Sequence, residues 1–159
     1  MRIFYCNIPK MISHKHKYIF IHIPKTGGTS IEKALLEAEG VHWGKEGIAG
    51  LPSKTKKKFF MNESLDSSPQ HWTLDEYPKE FQENYFCFSF VRNPWAIWVS
   101  EYKSLNPTIL DLDPNITFEE FIDNPRRFDY HLKPQFNFIN HNINYVGRTE
   151  SLNEDFQKI

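Results

Sequence analysis

The sequence predicts an α/β fold with a central parallel sheet flanked by helices. Three observations carry this. Residues 18–23, YIFIHI, are apolar on both alternating sets, the pattern of a strand covered on two faces. Residues 85–91, YFCFSFV, repeat that pattern with Ser89 as the polar exception. Each run leads through a turn into a helical pattern, and strands that alternate with helices build parallel sheets. With 159 residues, 40% apolar and 16% aromatic, the chain has material for one domain with a core and is too apolar for disorder. The whole of residues 1–159 is therefore read as one domain, with residues 1–17 as an N-terminal extension.

Taken in order, the first strand at residues 18–23 is ended by Pro24. A helix is expected from about Thr29, because Thr29-Ser30-Ile31-Glu32 has capping-box spacing and Ile31, Leu35 and Ala38 share a face. Gly40 is its expected stop. Residues 41–68 hold three glycines, Pro52 and a lysine run at residues 54–58, and read as a long loop. Residues 74–81 read as a short helix interrupted by Pro78. The second strand ends at Arg92-Asn93-Pro94, and Pro94 suits a first helical position, with the helix running on to Leu105. Thr117-Phe118-Glu119-Glu120 is a further capping box, opening a helix to Asp123. Residues 130–139 form a helix or turn split by Pro134, residues 144–146 a short strand, and Ser151 starts a last helix.

Net charge is −1, so no global basic field points to nucleic acid. Two cysteines, Cys6 and Cys87, make no disulfide framework and favour a reducing, cytoplasmic setting; Cys87 should pack as a small buried hydrophobe. No run of about 18 apolar residues is present, so no membrane span is expected. His14 and His16 have no carboxylate or cysteine close in sequence, and no metal is expected.

The chemistry gathers at the two strand ends. The first strand meets PKTGGTS at residues 24–30. A loop entering a helix N-terminus presents backbone N–H groups and partial positive charge to an anion. Gly27 and Gly28 let the backbone come close to a ligand, Thr29 and Ser30 add hydroxyls, and Lys25 brings an ammonium with three donors. The strand–loop–helix unit resembles a P-loop βα unit, so the expected fold is P-loop-like, three layers with the parallel sheet in the middle. The lysine, however, comes just after the strand rather than just before the helix, and no apolar strand ends in a metal-binding Asp. Nucleoside triphosphate hydrolysis is thus the weaker reading. At the second strand end Arg92 offers a fixed guanidinium for bidentate phosphate binding, and Ser100 on the next helix can reach the same anion. Two such ends fit a ligand with two anionic groups.

PKTGGTS at residues 24–30 and RNPWAIWVSEY at residues 92–102 together resemble the two signatures of sulfotransferases that use 3′-phosphoadenosine 5′-phosphosulfate (PAPS). The second signature departs at Ile97, where the family often has arginine; we read that position as structural. The segments HLKPQ at residues 131–135 and YVGRTESL at residues 145–152, with Glu154-Asp155-Phe156, resemble later parts of the carbohydrate sulfotransferase branch. The resemblance implies PAPS as donor, adenosine 3′,5′-bisphosphate as product, and no metal. It implies cofactor contacts from Lys25, Thr26, Gly27, Gly28, Thr29, Ser30, Arg92, Ser100 and Arg148, and a carbohydrate acceptor near His131 and Gln135. Family members continue past the EDF segment, so the C-terminal part of the family domain is expected to be missing here. The alternative reading is a truncated, non-catalytic module for nucleotide or sulfated glycan.

In the implied reaction Lys25 stabilises the charge growing on the leaving oxygen, aided by the helix N-terminus, and positioning does much of the rest. The acceptor hydroxyl needs a base, and histidine titrates in the right range. His71 comes first; His131 and Glu76 are alternatives. His22, on the first strand, reads as a core histidine. Trp43, Trp72 and Trp95 are candidates to stack on a sugar ring, though aromatics more often build cores.

Overall fold

The computed structural model describes residues 12–40, 71–104, 115–123 and 131–159. The long loop with its lysine run, Cys6 and Trp43 lie outside the described residues. The architecture is mixed α/β: among the described residues a four-stranded sheet runs in the order β1-β2-β3-β4, with β1 at Ile12–Ser13, β2 at Tyr18–Ile21, β3 at Phe86–Val91 and β4 at Tyr145–Arg148. The β2–β3 and β3–β4 pairs are parallel, and β1 runs antiparallel to β2 at one edge. The sequence reading starts the sheet at Tyr18; two residues offer no periodicity, and β1 is held by its pairing with β2.

Alternation along the strands divides the core. Ile19, Ile21 and Cys87 pack with Leu74, Tyr77 and Phe138, while Phe20, Phe88 and Phe90 pack with Ile31. Helix α1 (Gly28–Ala38) supplies Ile31 and Leu35 to the second cluster. The expected capping box at Thr29 does not form. Gly27, at φ 83, stands at the N-cap with no side-chain cap, and the helix starts one residue earlier than expected. A side-chain cap needs extended backbone at that position, which a left-handed Gly27 does not give. Glu32 is then fully buried and takes a hydrogen bond from His22 Nδ1. Gly40, at φ 75, follows the helix as expected.

Pro78 separates a 3₁₀ turn at Leu74–Glu76 from α2 (Lys79–Asn84), so the expected single helix is two pieces. Helix α3 (Pro94–Ser104) starts at the expected proline, with Asn93 Oδ1 accepting from the Trp95 and Ala96 amides at 2.9 and 3.4 Å. Thr117 and Glu120 make the expected capping box of α4 (Phe118–Asp123). The segment after His131 is a 3₁₀ turn at Gln135–Phe138. Helix α5 (Leu152–Phe156) follows a 3₁₀ turn at Thr149–Ser151, and Asp155 reaches back to the Arg148 amide at 2.8 Å. No helix among the described residues is long and apolar enough to cross a membrane.

Candidate functional site

The parallel register sets the site. Ile21 pairs with Ser89 and Val91 with Arg148, so β2, β3 and β4 all end at the same edge of the sheet. The outer ends of parallel strands are where open α/β sheets place ligands. Residues 22–28 leave β2 there, Arg92 leaves β3, and Thr149 leaves β4.

The loop after β2 is fixed from several sides. The Thr26 hydroxyl donates to the Ile23 carbonyl at 2.8 Å. The Thr26 carbonyl accepts from Thr149 Oγ1 at 2.7 Å, and that hydroxyl also reaches the Val91 carbonyl at 3.1 Å. Lys25 holds a left-handed φ of 64, a conformation that costs a non-glycine residue about 1 kcal/mol or more. An Arg92 guanidinium nitrogen donates to the Lys25 carbonyl at 3.1 Å, so the two strand-end cations belong to one unit. Gln135 clasps Arg92 from the other side, accepting from its amide and donating to its carbonyl, each at 2.8 Å.

A cavity of about 340 Å³ opens over this edge, lined by His22, Lys25, Gly27, Gly28, Thr29, His71, Arg92, Ser100 and His131. A shallower groove of about 640 Å³ shares Lys25, Arg92 and Ser100 and adds Trp95, Val99 and Lys103. The structure thus brings together Lys25, Gly27, Gly28, Thr29, Arg92, Ser100, His71 and His131. Thr26 is buried and faces the Ile23 carbonyl. Ser30 and Arg148 line neither cavity. Gln135 holds the Arg92 backbone, and Glu76 takes hydrogen bonds from the Thr73 amide and hydroxyl at 2.6 and 3.0 Å. Trp72 packs against the core, whereas Trp95 is 78% exposed beside the groove. Ile97 is buried.

Three histidine rings stand in a row: His22 and His71 centroids are 4.5 Å apart, and His71 and His131 5.3 Å. Each is anchored through Nδ1. His22 donates to Glu32, His71 to the His22 carbonyl at 3.0 Å, and His131 to Glu101 Oε1 at 3.0 Å. The carboxylate and carbonyl acceptors place a proton on each Nδ1. Burial pushes His71 down to about 3, with the neighbouring His22 adding to the effect, so it is neutral near pH 7.

Two carboxylates complete the site that sequence reasoning did not single out. Glu32 looks like a capping-box partner in the sequence; its place among Ile31, Leu35 and Leu36 on the apolar face was the available signal. Glu101 sits one turn after Ile97 on the buried stripe of α3, and both are buried. Its Oε2 lies 3.6 Å from Lys25 Nζ, which itself donates to Ser104 Oγ at 2.6 Å. Burial alone would raise the Glu101 pKa; the hydrogen bond and charge of His131 and the Lys25 ammonium outweigh it, so the net shift is downward.

A strand-end lysine loop, a strand-end arginine and a polar cavity between them make a candidate site without saying which chemistry it serves. Comparison with known proteins does. An uncharacterized protein of Archaeoglobus fulgidus is 33% identical over 85 residues, covering 51% of this chain and 69% of that protein. No solved structure matches the chain. A model of the Sulfotransferase family matches residues 1–159. Both strand ends, with Lys25 and Arg92, lie inside that match, and the chain belongs to the Sulfotransferase family, transferases of the sulfuryl group.

Proposed function

We propose that the chain transfers the sulfuryl group of PAPS to a hydroxyl of a carbohydrate acceptor, on a P-loop-like three-layer fold. The observation that carries this is the pair of strand ends, one bearing Lys25 and the other Arg92, joined by a hydrogen bond from Arg92 to the Lys25 carbonyl over one cavity. Their donors fit the group: an ammonium, a guanidinium, the hydroxyls of Thr29 and Ser100 and the first turn of α1 face one polar space. When bound, PAPS would supply an activated sulfuryl group and leave as adenosine 3′,5′-bisphosphate. Lys25, Gly27, Gly28 and Thr29 would hold the phosphosulfate end, and Arg92 and Ser100 the 3′-phosphate. Lys25 would hold charge on the leaving oxygen, and the preset loop would spare reorganisation. His71 and His131 line the side where an acceptor hydroxyl would enter. The carbohydrate acceptor rests on the resemblance of residues 131–135 and 145–156 and on the exposed ring of Trp95 beside the adjoining groove.

Two measurements test this. Labelled sulfate from PAPS should appear on a glycan from a broad acceptor panel, and Lys25→Ala should abolish it. Calorimetry should detect adenosine 3′,5′-bisphosphate binding that Arg92→Ala weakens. Binding of ATP with Mg²⁺ in preference to the bisphosphate would overturn the reading.

A further inference from the structure

Glu101 is the polar group in the site whose position the donor-binding parts do not explain. Its side chain is 5% exposed, on a helix that otherwise buries Ile97 toward the core. Oε1 takes the His131 Nδ1–H bond at 3.0 Å. Oε2 is buried without a hydrogen-bond partner among the described residues and stands 3.6 Å from the Lys25 ammonium. A buried carboxylate is costly unless it is used or paired. One carboxylate here touches a cation on the donor side with one oxygen and a histidine on the acceptor side with the other.

We propose that Glu101 is a positioning residue that sets the two sides of the reaction against each other, fixing His131 so that Nε2 receives the acceptor's proton while holding Lys25 beside the leaving oxygen. This rests on the sulfuryl-transfer reading above. In the step, the acceptor oxygen forms a bond to sulfur as its proton passes to His131 Nε2. The bond from sulfur to the donor's phosphate oxygen breaks, its electron pair stays on that oxygen, and Lys25 faces the charge. Glu101 stabilises the imidazolium as it forms and remains ionised, the role of a carboxylate behind a catalytic histidine. His71, held neutral by burial, fits a contact to the acceptor better than proton uptake.

The test uses Glu101→Gln, Glu101→Leu and His131→Asn in the full chain. Glu101→Gln keeps the shape and removes the charge, so kcat should fall about 10²-fold or more while binding of adenosine 3′,5′-bisphosphate stays within about threefold. A merely structural role would instead weaken binding and lower kcat together. His131→Asn should lose kcat to a similar degree, and its missing signal identifies His131 among the seven histidines in the ¹⁵N spectrum. In wild type that signal should report the Nδ1–H tautomer, and in Glu101→Leu it should move to Nε2–H. Glu101→Gln with wild-type kcat, or a His131 tautomer unchanged in Glu101→Leu, overturns the inference. If wild type transfers no sulfate, the sulfuryl-transfer reading fails on its own, and the ¹⁵N spectrum still decides whether Glu101 sets His131.

Discussion

Replacing Gly28 with alanine should be the most damaging single methyl that can be added to the loop after β2. A Cβ built there would sit 2.2 Å from His22 Cδ2, 2.3 Å from Nε2 and 2.6 Å from Cγ, where ordinary contact begins at 3.4 Å. The methyl or the ring must move by more than an ångström. The ring is held in place: His22 is 4% exposed, bonded to Glu32, with the His71 ring centroid 4.5 Å away, so moving it toward the cavity it lines means giving up the Glu32 bond. Overpacking of this kind costs about 3 kcal/mol, the upper part of the usual range. For a chain of this length that lowers Tm by roughly 6–12 °C. Gly40→Ala is the control: φ is 75 and nothing lies within 4 Å of the added methyl, so backbone strain of about 1 kcal/mol is the whole effect. Differential scanning calorimetry of both variants, and of His22→Ala with and without Gly28→Ala, measures the contact directly. Without the ring, Gly28→Ala should cost much less, giving a coupling of about 1–3 kcal/mol. Equal Tm for Gly28→Ala and Gly40→Ala, or additive effects in the double variant, would refute the reasoning.

Three further outcomes follow from the same geometry. Lys25→Gly and Lys25→Ala remove the same charge, but only alanine keeps the left-handed strain at φ 64, so Lys25→Gly should be more stable by about 1 kcal/mol in urea titration. Thr149→Val leaves the Thr26 and Val91 carbonyls without their shared hydroxyl and should cost about 1–2 kcal/mol, with weaker bisphosphate binding by calorimetry. His71 is held near 3 when folded against 6.5 as its ordinary value, so the unfolded chain takes up its proton first; stability should be intact above about pH 6.5 and fall by about 1.4 kcal/mol per unit as pH drops toward 3. His71→Asn should flatten that slope in thermal melts between pH 7 and 5, and an unchanged slope refutes the assignment.

What the sequence made legible, and what it hid, divides along range. The two buried strands, Pro94 at a helix start and the Thr117 capping box are local patterns, and they stand in the structure at or within two residues of the expected places. Glu32 shows where a local pattern misleads. Capping-box spacing at residues 29–32 is genuine, but the left-handed Gly27 starts the helix first and turns the carboxylate inward to His22. Lys25, Gly27, Gly28 and Arg92 could be named from the sequence because each stands in the short link between a buried strand and the helix after it. Glu101 could not, since its partners are Lys25 and His131, far off in both directions along the chain. Nor could the burial of His71 be read from His71-Trp72-Thr73; its neighbour is the His22 carbonyl, 49 residues earlier.

The Thr149 hydroxyl, shared between the Thr26 and Val91 carbonyls, has a consequence for the order in which the molecule is made. Thr26 and Thr149 are 123 residues apart. A ribosome delivers the lysine loop early and its fastener late, so a growing chain holds the loop's residues well before it can hold their geometry. Closing a contact of that span is entropically slow and comes after local helices have formed. If the site binds as proposed, recovery of bisphosphate binding in refolding experiments should come with docking of β4 and lag behind recovery of helical signal.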